Sequence, residues 1–106
     1  MLARIQVPSQ ARRGEVMTIR ISIQHAMETG YRLDDFGRAY PKNVIHTLSC
    51  HYGGKEVFRA EMGSGIAANP YFEFYVLADQ SGELRFEWQD DSGVGGAERA
   101  TVQVVT

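Results

Sequence analysis

Hydrophobic and polar residues alternate along much of this chain. The clearest example runs from Glu15 to Gln24, where every second residue is apolar. The apolar positions are Met17, Ile19, Ile21 and Ile23, and the polar positions between them are Thr18, Arg20 and Ser22. Side chains of a β-strand point to alternate faces, so this pattern predicts a strand with one face in the core and the other in water.

Similar patterns recur between turn signals that are spaced about ten to twelve residues apart. The other predicted strands cover residues 3–7, 44–52, 56–62, 71–77, 83–89 and 98–105. Pro8 ends the first of them because proline has no backbone N–H to donate. No segment predicts a helix. We therefore predict an all-β fold, a single domain over residues 1–106 that forms an immunoglobulin-like β-sandwich of about seven antiparallel strands.

The strand that follows the turn at Asn69-Pro70 is apolar on both faces. One alternate set is typical of a core, but the opposite set should be polar if it faced water. The core set is Phe72, Phe74 and Val76, and the opposite set is Tyr71, Glu73, Tyr75 and Leu77. Such apolar side chains are common on monomer surfaces, and another segment of the chain could also cover them. We favour a third explanation, cover by a second protein, because tyrosine buries a large ring while its hydroxyl finds a partner.

Two loops are candidates to join that interface. The segment from His25 to Lys42 is long and interrupted by glycine and proline, and long loops are often functional. The second loop is GSGIAANP, residues 63–70. From the strand and both loops we predict the partner-binding residues Met27, Glu28, Thr29, Gly30, Tyr31, Asn69, Pro70, Tyr71, Tyr75 and Leu77.

The charge balance narrows the class of partner. The 106 residues include 11 Lys and Arg against 13 Asp and Glu, a formal net charge of −2. Nucleic acids and anionic membranes are bound mainly by clustered Lys and Arg, so we expect neither as a partner. No apolar run could span a bilayer, and the first residues, MLARIQVPSQ, lack the features of a signal peptide. Taken alone, the sequence indicates a cytoplasmic or already processed protein.

Cys50, the single cysteine, is the main candidate for chemistry. His46 lies four residues away on the same predicted face, roughly 13 Å at about 3.3 Å per residue, and His51 points to the other face. A blue-copper site would need two histidines close to the thiolate, which this spacing does not provide. We therefore expect a buried core thiol, with a link to a cysteine of another chain as a second possibility, and no cofactor. The alternative is a small thiol or copper-binding sandwich protein centred on Cys50.

Other polar residues have structural interpretations. Asp34-Asp35 and Asp90-Asp91 each lie beside glycine and are expected in solvated turns rather than in a metal site. His25 is expected at the surface or bonded to a loop end. Trp88 is expected to fill the centre of the sandwich. The glycines at 93, 95 and 96 are expected to form the end of a hairpin.

Four segments together resemble the SoxZ family. They are HAMETGYR (His25 to Arg32), YGGKEVF (Tyr52 to Phe58), IAANPYFEFYV (Ile66 to Val76) and FEWQDDSG (Phe86 to Gly93). The resemblance runs in order over nearly the whole chain. It implies an immunoglobulin-like, non-catalytic subunit that forms a heterodimer with SoxY. In this SoxYZ carrier, the C-terminal Gly-Gly-Cys-Gly-Gly tail of SoxY carries sulfur intermediates between enzymes of thiosulfate oxidation.

The resemblance also implies a location and further contacts. SoxZ-like chains typically lack an export signal and reach the periplasm together with SoxY, so we expect a periplasmic protein. Transient docking to other Sox enzymes is also expected, with the METG loop helping to present the complex. Ala26 stands where the family often has proline, a departure that could alter the rigidity of this loop. For the isolated chain, the alternative is a homodimer that forms through the same predicted strand, residues 71–77.

Overall fold

In the computed structural model, which describes residues 2–106, the chain forms eight β-strands. They are β1 (Ala3–Gln6), β2 (Gln10–Arg12), β3 (Val16–Ile23), β4 (Ile45–Tyr52), β5 (Lys55–Glu61), β6 (Tyr71–Leu77), β7 (Gly82–Asp90) and β8 (Gly95–Val105). Over the described residues, no helix is long and apolar enough to cross a membrane.

The strands form two sheets, one with the order β1-β3-β6 and the other with the order β2-β8-β7-β4-β5. Both sheets contribute to a single cluster of buried residues. This confirms the predicted all-β, immunoglobulin-like sandwich. The strand that the sequence did not predict is β2, which pairs parallel with β8. Its three residues are too few to show an alternation of polar and apolar positions.

Aromatic side chains join the two sheets. Phe58 of β5 stacks on Phe74 of β6, with ring centroids 4.2 Å apart and 6° between the ring planes. Phe74 in turn approaches Phe86 of β7, at 6.4 Å between centroids.

The largest fully buried side chains come from both sheets or their flanking residues. They are Phe86, Met17, Ile19, Ile21, Ile23, Ile45, Leu48, Leu84, Val44, Val102 and Cys50. The predicted core face of β3 is therefore confirmed.

An irregularity in β4 changes the phase of its side chains. The pairing of β4 with β7 shifts between Ile45 and Thr47, so Ile45 is fully buried while His46 is partly exposed. Alternation alone predicts that His46 shares a face with Leu48. That prediction was wrong because an extra residue in one strand reverses the alternation beside it.

Trp88 is buried, as predicted, at 4% exposure. Its ring lies directly against Gly96, where an added Cβ would stand 2.5 Å from Trp88 Cζ2. The turn expected over residues 90–96 is shorter in the structure, because β7 continues to Asp90 and β8 begins at Gly95. Gly96 is therefore a strand residue whose missing side chain makes room for the indole ring.

Candidate partner-binding site

The outward side of the three-stranded sheet carries an exposed apolar strip. Tyr71, Tyr75 and Leu77 of β6 are 57%, 63% and 59% exposed. Val16 of β3 pairs with Leu77 in the register and is itself 61% exposed, so it extends the strip onto the neighbouring strand. We call this side of β3 and β6 the outer face. These exposures contradict the alternative in which another segment within residues 2–106 covers the strip.

An ion pair lies in the middle of the outer face. Arg20 Nε is 2.8 Å from Glu73 Oε1, and the two residues are cross-strand partners. Tyr75 Oη donates a hydrogen bond to Glu73 Oε2 at 3.1 Å, and Arg20 also donates to Gln6 Oε1 at 3.3 Å. The hydrogen bonds from Arg20 and Tyr75 lower the pKa of Glu73, so its carboxylate stays ionised. The outer face therefore places a fixed charge pair between its two tyrosines.

The end of β6 is tied to β4 of the opposite sheet. The backbone N–H groups of Asp79 and Gln80 donate to Tyr52 Oη at 3.1 and 3.0 Å. The same hydroxyl donates to the Gln80 carbonyl. These bonds fix the segment that follows Leu77 and thereby hold the strip in place.

Two of the predicted partner-binding residues are buried in this chain. Met27 is 4% exposed, its Sδ accepts the N–H of Ile45 at 3.3 Å, and its φ of 52° turns the chain into the long loop. Pro70 is also buried. The interpretation of Met27 and Pro70 as surface residues therefore needs correction, because both anchor their loops on the core.

The two predicted loops lie side by side. Asn69 donates its N–H to the His25 carbonyl at 2.8 Å and accepts the N–H of His25 on Oδ1 at 3.0 Å. Ser64 Oγ donates to the Thr29 carbonyl at 3.3 Å. The exposed Asn69 thus has a structural role, and any additional role of this residue in binding stays a prediction.

Most of the long loop folds back on itself into an arm, residues 28–43. Glu28 and Asn43 exchange two backbone hydrogen bonds of 2.8 Å at its base. Leu33 pairs with Ala39 near its tip. The arm is therefore an irregular hairpin with a fixed backbone rather than an open loop.

The arm presents aromatic side chains to solvent. Asp34 Oδ1 accepts the N–H groups of Phe36 and Arg38 at 2.9 Å each, which confirms the predicted turn. Phe36 is 85% exposed and Tyr31 is 84% exposed. Gly30 has a φ of 90°, which favours glycine. The sequence prediction missed Phe36, although an aromatic residue inside a turn is the signal that could have identified it.

A buried histidine and aspartate support the base of both loops. His25 Nε2 lies 3.0 Å from Asp90 Oδ2, and the two side chains are 8% and 4% exposed. His25 Nδ1 accepts the N–H of Met27 at 2.9 Å, so the proton of the neutral ring is on Nε2 and is donated to Asp90. Ser92 and Val94 also donate to this carboxylate.

This pair corrects the predicted solvated turn for Asp90 and the surface alternative for His25, whereas the bond from the Met27 N–H to His25 agrees with the alternative of a histidine bonded to a loop end. Burial opposes the ionisation of Asp90, but the hydrogen bonds from Ser92, His25 and the backbone of Val94 outweigh it and lower the pKa of Asp90 to about 2. The two residues are 65 positions apart in the sequence. No local pattern could therefore have paired them.

Cys50 is not positioned for catalysis. Its side chain is fully buried, as predicted, and burial raises the pKa of the thiol to about 12, so the thiol stays protonated at neutral pH. His46 Nδ1 instead lies 3.3 Å from Asp91 Oδ1. In the described part of the chain, no group of three or more His, Cys, Asp and Glu side chains could hold a metal ion.

A sequence comparison identifies the family. The profile of the family described as "Sulphur oxidation protein SoxZ" matches residues 5–101. The chain belongs to the SoxZ family. This membership confirms the resemblance carried by the four segments and relates the chain to sulfur oxidation. No curated protein sequence matches this SoxZ-family chain.

Solved structures with a similar fold include two superoxide reductases and a SoxY protein. The superoxide reductase (neelaredoxin) from Ignicoccus hospitalis has a TM-score of 0.71 at 16% identity, over 99% of this chain and 81% of that chain. A putative superoxide reductase from Thermotoga maritima has a TM-score of 0.75 at 14% identity, over 98% and 86%. The sulfur carrier protein SoxY from Chlorobium limicola f thiosulfatophilum has a TM-score of 0.68 at 11% identity, over 98% and 79%. At these identities, the likeness shows a shared fold alone.

Proposed function

We propose that this chain is the non-catalytic subunit of a SoxYZ-type sulfur carrier and that it binds a SoxY-like subunit through the outer face. The observation that carries this proposal is the exposure of Tyr71, Tyr75, Leu77 and Val16, which share the outer face of a sheet whose other side is core. Exposed apolar patches often mark interaction sites, and tyrosine is enriched in protein interfaces.

The strip supplies only part of the free energy of association. Burying one such side chain contributes at most about 1.5–3 kcal/mol, so the four contribute about 6–12 kcal/mol together. Association costs about 4–15 kcal/mol in lost freedom of movement. A lasting complex therefore needs further contacts, since stable interfaces bury about 1,200 Å² or more in total. The loop over residues 63–70 leads directly into Tyr71 and is a neighbouring source of such contacts.

The Arg20–Glu73 ion pair gives the outer face a means of selecting its partner. A protein that covers this pair removes water from both charges. That removal is costly unless the incoming surface offers polar groups to the donors and acceptors that remain unpaired. The SoxY-like subunit is therefore expected to place polar side chains opposite the ion pair and apolar side chains opposite the tyrosines.

The covalent sulfur chemistry belongs to the partner in this proposal. The only cysteine of this chain is buried and protonated, so it offers no accessible thiolate for a sulfur adduct. The family resemblance implies that the SoxY tail cysteine carries the intermediates, while this subunit contributes structure and docking surface. We place the complex in the periplasm, reached by export together with the SoxY-like subunit.

The arm is assigned to transient docking of other enzymes of the pathway. Phe36 and Tyr31 are exposed, and their backbone N–H groups are bonded to Asp34 and to Thr29 Oγ1 respectively. A preorganised element loses little entropy when it binds. Phe36→Ser should weaken the docking of such an enzyme to the purified complex and leave assembly with the SoxY-like subunit unchanged. Unchanged docking would argue against this assignment.

Co-expression with a SoxY-like subunit, followed by size-exclusion chromatography, tests the main proposal. The expected result is a single heterodimer peak. Replacing Tyr71 and Tyr75 together by lysine should weaken assembly by on the order of tenfold or more, because lysine is disfavoured in a desolvated interface. Val94→Lys is the control, since Val94 is 53% exposed in the turn between β7 and β8. Two separate monomer peaks, or an equal effect of the control, would contradict the proposal.

A further inference from the structure

One edge of β6 is open. In the order β1-β3-β6, β3 pairs with one edge of β6, and within residues 2–106 no strand pairs with the other. Backbone hydrogen bonds just beyond both ends of the β3–β6 pairing show which of the opposite residues are hydrogen-bonded to each other. Ile23 donates its N–H to the Pro70 carbonyl at 3.0 Å, and Ala78 donates its N–H to the Glu15 carbonyl at 2.8 Å.

These bonds determine which backbone groups of β6 face outward. In an antiparallel ladder, residues that bond to the neighbouring strand alternate with residues whose N–H and C=O groups point away from it. The register between β3 and β6 is unbroken. The residues bonded to β3 are Phe72, Phe74 and Val76. The residues whose backbone groups point to the open edge are Tyr71, Glu73, Tyr75 and Leu77, the same four whose side chains lie on the outer face.

The other sheet edges carry features that discourage pairing with a second chain. β5 contains Lys55 and Arg59, β2 has three residues, and β1 has four residues and is closely followed by Pro8. In contrast, β6 has seven residues, no lysine or proline and no bulge in its pairing. Its one charged residue, Glu73, is held by Arg20. Among the four sheet edges, the open edge of β6 is therefore the best prepared to accept another strand.

We propose that the SoxY-like subunit adds an extended strand to the open edge of β6, so that the three-stranded sheet continues into the partner. The main chain of the added strand pairs with the free backbone groups of Tyr71, Glu73, Tyr75 and Leu77. This inference rests on the proposed function and specifies how the partner is held.

Two observations favour a SoxY-like chain as the occupant of this edge. The apolar strip alone is too small for a lasting interface, and strand addition supplies further contacts along β6, which contributes three of the four residues of the strip. Side chains of an added strand would lie beside Tyr75 and Leu77 on the outer face and extend the strip. The SoxY structure also covers 98% of this chain in the comparison, so it contains a counterpart of β6 that could pair with this edge.

Residue-resolved amide hydrogen exchange, measured on the lone chain and on the complex, tests the inference. In the lone chain, the amides of Glu73, Tyr75 and Leu77 should exchange rapidly. In the complex, their exchange should slow by on the order of tenfold or more, because a backbone hydrogen bond protects an amide from water. The amides of Phe74 and Val76 are the internal control and should be protected in both samples.

A pair of variants separates the backbone from the side chain. Tyr75→Ala removes the ring and keeps the N–H, whereas Tyr75→Pro removes both, and an edge strand tolerates proline where the N–H points outward. If the edge is used, the proline variant should bind the SoxY-like subunit about fivefold more weakly than the alanine variant. Circular dichroism of each lone variant checks folding. If the proline variant does not fold, the exchange measurement on the unaltered chain decides.

The outcomes distinguish this inference from the proposed function. Suppose that amide exchange at residues 73, 75 and 77 is unchanged in the complex, while replacing Tyr71 and Tyr75 by lysine still weakens the complex. This result would overturn strand addition and leave the proposed function standing. If no complex forms, both fail. Protection of these amides in the lone chain, together with a dimeric mass, would assign the edge to a second copy of this chain and overturn the SoxY-like occupant.

Discussion

The imidazole of His25 lies 3.0 Å from the carboxylate of Asp90, and both side chains are almost fully removed from solvent. His25 begins the long loop that leads into the arm, and Asp90 ends β7. His25 also bonds through its backbone to Asn69. The pair therefore joins the end of one sheet to the two loops that flank the candidate interface.

Removing the imidazole should destabilise the fold. His25→Ala leaves Oδ2 of the buried Asp90 carboxylate without its donor, while Ser92 and Val94 still donate to Oδ1, and an unsatisfied buried polar atom costs about 1–3 kcal/mol in the free energy of unfolding. His46→Ala is the matched control, because His46 also pairs with an aspartate but is 41% exposed. An exposed pair contributes at most about 1 kcal/mol. Denaturant unfolding of both variants measures the difference, and equal losses would contradict the structural role of His25.

Stability should fall at acid pH because of Asp90. Its pKa is about 2 in the folded chain against an ordinary value of 3.8, so the contribution of the carboxylate is fully present only above the ordinary value. As pH falls below that value, the unfolded state takes up a proton first. The contribution is therefore lost as pH falls from about 4 through about 2.

Denaturant unfolding at a series of pH values measures this effect. Glu73 and Asp91 also have lowered pKa values, so the unaltered chain alone does not isolate Asp90. Asp90→Asn removes its titration and leaves the other two groups in place. The variant should lose less stability than the unaltered chain between pH 4 and pH 2, and identical slopes would exclude Asp90 as the cause.

Cys50 should react slowly with thiol reagents in the folded chain. Its side chain is fully buried and its thiol has a pKa of about 12, so reaction at pH 8 requires local or global opening of the fold. Labelling should be on the order of a hundredfold slower than in denaturant. Mass spectrometry over time measures both rates. Rapid labelling of the folded chain would revive the alternative of a thiol protein centred on Cys50.

Gly96 should not accept a side chain. An added Cβ would stand 2.5 Å from the Trp88 ring, so Gly96→Ala must displace the indole and should cost about 1–3 kcal/mol of stability. Gly63→Ala is the control, since a Cβ there meets no atom within 4 Å. Thermal unfolding followed by tryptophan fluorescence compares the two. A stable Gly96 variant with an unchanged spectrum would show that the indole ring has another place to go.

Alternation carried most of the fold prediction. The alternation in β3 predicted Ile19 and Ile21 in the core. The alternation in β6, with apolar residues on both faces, predicted Tyr71 and Tyr75 outside the core, and the structure shows both. These predictions succeeded because the side-chain direction in a regular strand depends only on the position of the residue. Val16 was missed as part of the strip, since a single apolar residue at the start of a strand does not reveal its cross-strand neighbour.

The remaining features depend on contacts between distant segments. His25 follows a strand of one sheet and Asp90 ends a strand of the other, so only the packing of the two sheets brings them together. The bulge that turns His46 outward is set by the pairing of β4 with β7. Met27 looked like a surface residue because it lies in a long loop, but it is buried and its Sδ accepts the N–H of Ile45. Tertiary structure decided each of these positions, so the local sequence could not.

Under the proposed function, the arm and the outer face would be two separate docking surfaces of this subunit. The molecule measures 62 × 19 × 19 Å, whereas its longest strand, with 11 residues, spans roughly 36 Å at about 3.3 Å per residue. Segments between the strands make up the rest, and the longest of them, between β3 and β4, contains the arm. An enzyme that binds Phe36 would not need to cover the outer face, so it could bind and dissociate without displacing the SoxY-like subunit.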